Sequence, residues 1–378
     1  MSIRKKIAIL FSNDPGWIGG AYYILNLISA LNTLDDNLQP EIVLFCQKKS
    51  DQQIISKLNY KYISFKFLRF PIFKKDSFFI NRFLFLFQYV FFSFFSILRY
   101  DVVFPYNFQP KLRKSKNKTF WIPDFQEHYY PHFFNKTELN YRKKEQLKII
   151  SQNAILVLSS NAALSDLNKI YPKAICKPQV IHFAVTHPPY QHLKINELRV
   201  KFNIEGDYFI SPNQFWKHKN HLVILKAVKK LVQKGKDIKV VFTGKEYDYR
   251  NPTYTNELKN FVSENSLNEH ILFLGFIDRS EQLQLMNHSI AVIQPSLFEG
   301  WSTVVEDAKA MIQFVIASDI AVHQEQLKNN ARFFNSSNED ELAEILDYYS
   351  IHTIEKIQND YSLNVKSFGE EFLKSVLQ

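Results

Sequence analysis

Short, almost wholly apolar runs alternate with helix-patterned segments along most of this chain. "KIAILFS" leads into "GAYYILNLISALNTL", "EIVLFC" into "QQIISKL" and then "YISFKFL", and "AILVLS" into "NAALSDLNKIY". The second half repeats the theme with "YFIS", "IKVVFTG", "HILFLG", "IAVIQPS" and "FVIAS", each but the last followed by a clear helix pattern. A strand without a polar face has to be covered on both sides, so the alternation calls for parallel sheets between helical layers. Two such series are visible. They break near "VIHFAVTHPPYQHLKI", where Pro188 and Pro189 mark a linker.

A length of 378 residues suits two domains. With 46% hydrophobic and 22% charged residues the chain has enough apolar material for a core, which excludes a disordered protein. Cys46 and Cys176 alone supply neither a disulfide framework nor a zinc site, so a reducing compartment is expected. The first apolar run is too short for the core of a signal peptide and reads as a strand. The net charge of +10 is uneven: residues 1–185 hold 26 Lys and Arg against 12 Asp and Glu, and the remainder is mildly acidic. A basic first half points to an anionic partner: a phosphorylated substrate, an anionic membrane surface or nucleic acid. Nucleic acid is the weakest of these, because no nucleic-acid-binding motif is present. The basic runs "KFLRFPIFKK" and "KLRKSKNK" flank "FFINRFLFLFQYVFFSFFSILRY", Phe78 to Tyr100. That stretch falls short of the roughly 20 apolar residues of a membrane span. It reads either as a buried helix of the first domain or as a helix lying in the plane of a membrane surface.

The most informative stretch is "PSLFEGWSTVVEDAKA". Its strand ends at Pro295 and Ser296, on the carboxyl edge of a parallel sheet, where doubly wound folds bind ligands. Gly300 allows close backbone approach. "TVVE" reads as a capping box, with Thr303 as N-cap and Glu306 reaching back to it. The amides around Ser302 to Val304 would then form an anion site at a helix start, and Asp307 would accept hydrogen bonds from sugar hydroxyls.

These residues resemble the acidic motif of the group 1 family of retaining nucleotide-sugar glycosyltransferases, in which an acid follows "PS" and a second lies eight positions on. Glu299 and Asp307 have that spacing. "SPNQFWKHKNH" resembles the family's basic motif, with Lys219 at the second basic position and Gln214 where the family has a first base; Lys217 or Lys245 would replace the missing charge. "NDPGWIGGAYYILNL" resembles the family's glycine loop, through Gly19 and Gly20, and "WIPDFQEHYYPHFF" its acceptor-side loop in bacterial surface-polysaccharide members. Ile312 and Phe314 stand where the family usually has Gly and Pro. The resemblance implies two Rossmann-like domains, 1–188 and 189–352, facing a central cleft in the GT-B manner, and a tail, 353–378, packing back on the first. It implies that Glu299 contacts the transferred sugar, Asp307 the ribose, and Lys219 with the Ser302 and Thr303 amides the diphosphate. It puts Asn220, Gly244, Gly275, Phe276, Ile277 and Trp301 on the donor side, and Asp124, His128 and Glu127 on the acceptor side.

The expected activity is sugar transfer from a nucleotide-diphosphate sugar to a glycan or lipid-linked glycan, in lipopolysaccharide O-antigen or capsule synthesis. The site would be cytoplasmic, at the inner membrane surface. No metal is expected, since no convincing Asp-x-Asp element ends a strand. His218 and His221, three apart, have lysines around them and no carboxylate partner for a metal site. The alternatives are a sugar-nucleotide binding protein without catalysis, prompted by Gln214, and a nucleotide-sugar epimerase of the same fold.

Overall fold

The computed structural model describes residues 4–13, 18–46, 48–67, 100–109 and 112–378. Of the Phe78–Tyr100 segment only Tyr100 falls among them. The first domain runs β1 (Lys6–Phe11), α1 (Ile18–Asn32), β2 (Glu41–Cys46), α2 (Lys49–Ser56), β3 (Ile63–Phe67) and β4 (Val102–Phe104). It continues with β5 (Asn117–Lys118), β6 (Phe120–Ile122), α3 (Gln126–Tyr129), α4 (Lys136–Ile150), β7 (Ile155–Leu158), α5 (Asn161–Ile170) and β8 (Lys177–Val180). Its strands pair in the orders β3-β2-β1-β4-β5 and β6-β7-β8, all parallel. Thr119 alone separates β5 from β6, so one extended stretch serves both sheets. Its amide donates to the Val103 carbonyl at 3.0 Å and its carbonyl accepts from the Tyr106 amide at 2.8 Å.

The second domain comprises α6 (Ile195–Phe202), β9 (Phe209–Ser211), α7 (His221–Gln233), β10 (Val240–Phe242), α8 (Tyr254–Glu264), β11 (Ile271–Phe273) and α9 (Arg279–Asn287). Then follow β12 (Val292–Gln294), α10 (Thr303–Ala310), β13 (Val315–Ser318), α11 (Ala321–Gln326), β14 (Ala331–Phe334) and α12 (Glu339–Ile351). A short helix, α11, therefore does follow "FVIAS". The sheet order is β11-β10-β9-β12-β13-β14, all parallel. From β9 the chain winds outward through β10 and β11, then returns to the other side of β9 as β12. The loops after β9 and β12 therefore diverge from adjacent strand ends and leave a crevice between them.

The last helix, α13 (Ser362–Val376), crosses back to the first domain. Phe368, Phe372 and Val376 are fully buried in the core built by Ile24, Leu27 and Phe104. The Phe372 ring meets Phe104 edge-on, 5.0 Å between centroids. Gly369 lets α13 approach α1 closely, since a Cβ there would lie 2.9 Å from the Ala30 carbonyl oxygen. At the crossing, the Tyr361 hydroxyl accepts from the Val185 amide at 3.0 Å and donates to the Glu306 carboxylate at 2.5 Å. Among the described residues no helix is long and apolar enough to cross a membrane.

Because Phe372 fills the first domain's core from the far end of the sequence, Phe372→Ala is expected to cost about 3–5 kcal/mol, as large-to-small changes in a closed core do. A urea titration reads this, and a loss under about 1 kcal/mol would mean that the helix is only loosely docked.

Candidate functional site

The β12 strand carries a polar residue, Gln294, at its carboxyl end, fully buried among apolar neighbours. Its oxygen accepts from Asn213 Nδ2 at 2.8 Å, and its nitrogen donates to Glu299 Oε1 at 2.8 Å. The same Glu299 oxygen accepts from Ser296 Oγ at 2.7 Å and from Lys219 Nζ at 2.5 Å. No hydrogen bond to Oε2 is made among the described residues, so that oxygen keeps its capacity to accept. Burial works against ionisation of Glu299, but Lys219, the nearby His323 and Ser296 outweigh it and hold the carboxyl below its ordinary value.

Lys219 closes a 3₁₀ turn, Lys217–Lys219, ahead of α7. The turn ends on Asn220 in the left-handed region, φ 55°. The Asn220 amide group donates to the Pro295 carbonyl at 3.1 Å and the Ser336 carbonyl at 2.8 Å, binding the post-β9 loop to the post-β12 loop. Lys219 and Glu299, 80 residues apart, thus meet over the ends of β9 and β12. Gln214 is partly buried on the same loop and Lys217 is exposed. Gly244 and Lys245 follow β10, and Gly275, Phe276 and Ile277 follow β11. The Phe276 side chain is 72% exposed, so it faces solvent.

The start of α10 differs from the capping box expected at Thr303. The N-cap is Ser302, whose hydroxyl accepts from the Val305 amide at 3.3 Å. Glu306 does not reach back to the cap. It is buried and bonded to Lys309 at 2.8 Å, Gln326 at 3.0 Å and Tyr361. A local pattern reads only neighbours in sequence, whereas two of these partners come from other elements. The Ser302 amide is also taken, by Gln326 Oε1 at 2.9 Å. The amides of Thr303 and Val304 make no hydrogen bond among the described residues, and they form the anion-accepting end of the helix.

Asp307 lies one position beyond Glu306 and is 1% exposed. It pairs with Arg279 and, at 3.1 Å, with His187 of the linker. Burial alone would raise its carboxyl; Arg279 and His187 bring it below its ordinary value. Among the described residues its second oxygen, Oδ2, is buried without a partner. Sequence reasoning missed Arg279 and His187. Arg279 carried a signal, since a base in a helix's first turn opposes the helix dipole and requires a specific anionic partner. Gln294, polar inside an apolar strand, carried another.

The first domain supplies the facing wall. Gly300 is packed so tightly that a Cβ would lie 2.5 Å from the Pro123 carbonyl oxygen and 2.9 Å from Asp124 Cβ. The close approach that Gly300 permits is thus to the opposite domain. Asp124 sits beside Glu299, and desolvation there pushes its carboxyl up to about 6, with Glu127 and Glu299 adding to the effect. Glu127 is buried and held by Gln146 and, at 3.6 Å, by Arg142. His128 is exposed and turned to Gln146 and Tyr171, each at 3.3 Å, and makes no contact with Asp124, Lys219 or Glu299. Trp301 is likewise committed to the first domain. Its indole stacks on His182 at 4.4 Å and donates to the Phe183 carbonyl at 3.0 Å. Gly19 and Gly20 lie in the first turn of α1. His218 and His221 are buried, His221 stacked on Phe215 at 4.6 Å. Among the described residues no group of three or more His, Cys, Asp or Glu is placed to hold a metal.

The buried histidines give the fold an acid limit. Burial pushes His221 down to about 3 and His323 to about 4, from an ordinary value of 6.5. Below that ordinary value the unfolded chain binds protons that the folded chain refuses. Their contribution is therefore complete above pH 6.5 and is lost as pH falls toward the depressed values. His221→Phe keeps the stack on Phe215 and removes one such group. Unfolding free energies from urea titrations between pH 6 and pH 5 are expected to fall less steeply in this variant, by up to about 1.4 kcal/mol per pH unit. An unchanged slope would place the acid sensitivity elsewhere.

Residues 194–364 match the family model of glycosyl transferases group 1. An O-antigen chain mannosyltransferase, RfbU of Salmonella typhimurium, is 26% identical over 226 residues, 59% of this chain; the match spans 58% of that relative's length. The structure is similar to a glycosyltransferase from Rickettsia africae, with a TM-score of 0.63 at 18% identity, covering 99% of this chain and 94% of that one. It is also similar to Anabaena HepE in complex with UDP and glucose, with a TM-score of 0.64 at 15% identity, covering 98% and 95%. Residues 194–364 thus match the group 1 glycosyl transferase model, and the two domains of the chain have the GT-B fold.

Proposed function

We propose that the protein transfers a sugar, with retention of anomeric configuration, from a nucleotide-diphosphate sugar to a glycan or lipid-linked glycan in O-antigen or capsule synthesis. The observation that carries this reading is the Lys219–Glu299 pair over the crevice between β9 and β12, with Asp124 facing it across the domain boundary. The pathway rests on the O-antigen role printed for the Salmonella relative, and the donor class on the UDP complex of the Anabaena protein.

The chemistry follows from charge. A departing diphosphate needs fixed positive charge in a site that excludes water. Lys219 and the Thr303 and Val304 amides provide it without a metal. Glu299 holds Lys219 through Oε1 and offers Oε2 to a sugar hydroxyl. Asp307 offers Oδ2 to the ribose. Asp124, partly desolvated, orients the acceptor hydroxyl. The basic first domain supports work at the inner face of the cytoplasmic membrane, and co-sedimentation with phosphatidylglycerol vesicles but not with phosphatidylcholine vesicles tests that location. The rival reading, nucleotide-sugar binding without catalysis, draws on Gln214. Calorimetric binding of a nucleotide with no product from any donor would favour it.

A thermal-shift screen of nucleotide sugars identifies the donor. Lys219→Ala and Glu299→Gln, each checked for folding, are then expected to lower kcat about 100-fold or more. Near-normal turnover in both would remove the site. With Asp124 titrating near 6 and acting as the carboxylate, kcat/KM is expected to rise with pH through about 6, a limb that Asp124→Asn should abolish.

A further inference from the structure

Glu325 belongs to the donor domain, yet every hydrogen bond its carboxylate makes among the described residues goes to the first domain. Oε1 accepts from the Asn161 amide and from Asn161 Nδ2, both at 2.8 Å, and lies 2.6 Å from His182 Nε2. Oε2 accepts from the Ala162 amide at 3.1 Å. The carboxylate therefore sits on the start of α5, where the helix dipole favours an anion. Burial works against the charge, but His182 and these amides outweigh it and hold the Glu325 carboxyl below its ordinary value.

What makes this contact more than an interface pair is what α11 carries beside it. Gln326 grips Ser302 from both sides, accepting from its amide at 2.9 Å and donating to its carbonyl at 3.1 Å. His323 is buried next to Glu299 and bonded to Ser318, whose hydroxyl donates to the Ser296 carbonyl at 2.6 Å. His182 is shared, since the Trp301 ring stacks on it. Trp301 in turn follows Gly300, which packs directly on Pro123 and Asp124. One turn of helix thus touches the opposite domain, the cap of α10 and the surroundings of Glu299.

We propose that Glu325 is a positioning residue: it docks α11 on the start of α5 and so sets Glu299 and the α10 amides in register with Asp124. It touches no substrate. Its effect on turnover rests on the transfer reaction proposed above; its effect on domain docking does not.

The test is Glu325→Gln, which keeps the shape and removes the charge. Scattering should show a larger radius of gyration in solution. Turnover should fall about 10- to 100-fold, the scale of a small misplacement of reacting groups. Calorimetric Kd values for UDP and GDP should stay within about twofold, because the nucleotide contacts belong to the second domain. Glu325→Asp should recover part of the lost turnover. In a double-mutant cycle, His182→Gln should cost little more once Glu325 is already Gln. A folded Glu325→Gln protein with wild-type radius and turnover overturns the proposal. So does a parallel loss of turnover and nucleotide affinity, which would mean that the donor domain itself is damaged. If the wild-type protein transfers no sugar, the transfer reading fails, while the radius and the cycle still decide the docking role.

Discussion

A carboxylate buried in a crevice stays ionised only where donors stand in for water, and the architecture around Glu299 supplies them. Three donors converge on one oxygen: an ammonium, a primary amide and a hydroxyl. They come from two different loops and a strand end, so the site exists only where β9 and β12 lie side by side. Removing one partner of such a pair leaves a bare buried charge, which typically costs 3–5 kcal/mol, whereas the intact pair adds little net stability. The cluster therefore costs the fold little while complete and a great deal when broken. Gln294, polar in the middle of a sheet, and Asn220, held in a left-handed turn, both serve it.

The same economy of charge recurs on α10. Asp307, buried between Arg279 and His187, is satisfied on one oxygen and open on the other. Asp124 makes no ion pair among the described residues, and desolvation outweighs the Gln126 amide and Arg142, so its carboxyl is raised to about 6. The three acids differ in character because of their neighbours, and the neighbours come from both domains and the linker.

The strands with long apolar runs, such as β1, β2 and β13, were legible because burial on both faces leaves no room for polar residues. Strands outside such runs, β8 and β14 among them, were not. β14, "ARFF", and β8, "KPQV", lack the length for a pattern, and β8 contains a proline that an edge strand tolerates and an inner one does not. Lys219 and Glu299 were legible as motif residues, and the sheet's switch in direction explains why they meet. The cap at Ser302 and the commitments of Glu306 and Trp301 were not, since Gln326, Tyr361, His182 and Phe183 are remote in sequence. Local patterns report what a residue's neighbours need. They are silent on what a distant helix or the opposite domain will supply.

The docking of α13 on α1 has a consequence for how the protein is made. Tyr361, Val365, Phe368, Phe372 and Val376 complete a core whose other buried members come from the first half of the chain. A ribosome delivers that half first, and domains ordinarily collapse in the order they emerge. Here the earlier unit waits with one apolar wall bare until the whole of the later unit has been synthesised. The nascent chain thus carries an uncovered apolar surface from the completion of the first domain until α13 has emerged, the condition under which a holding chaperone is of most use.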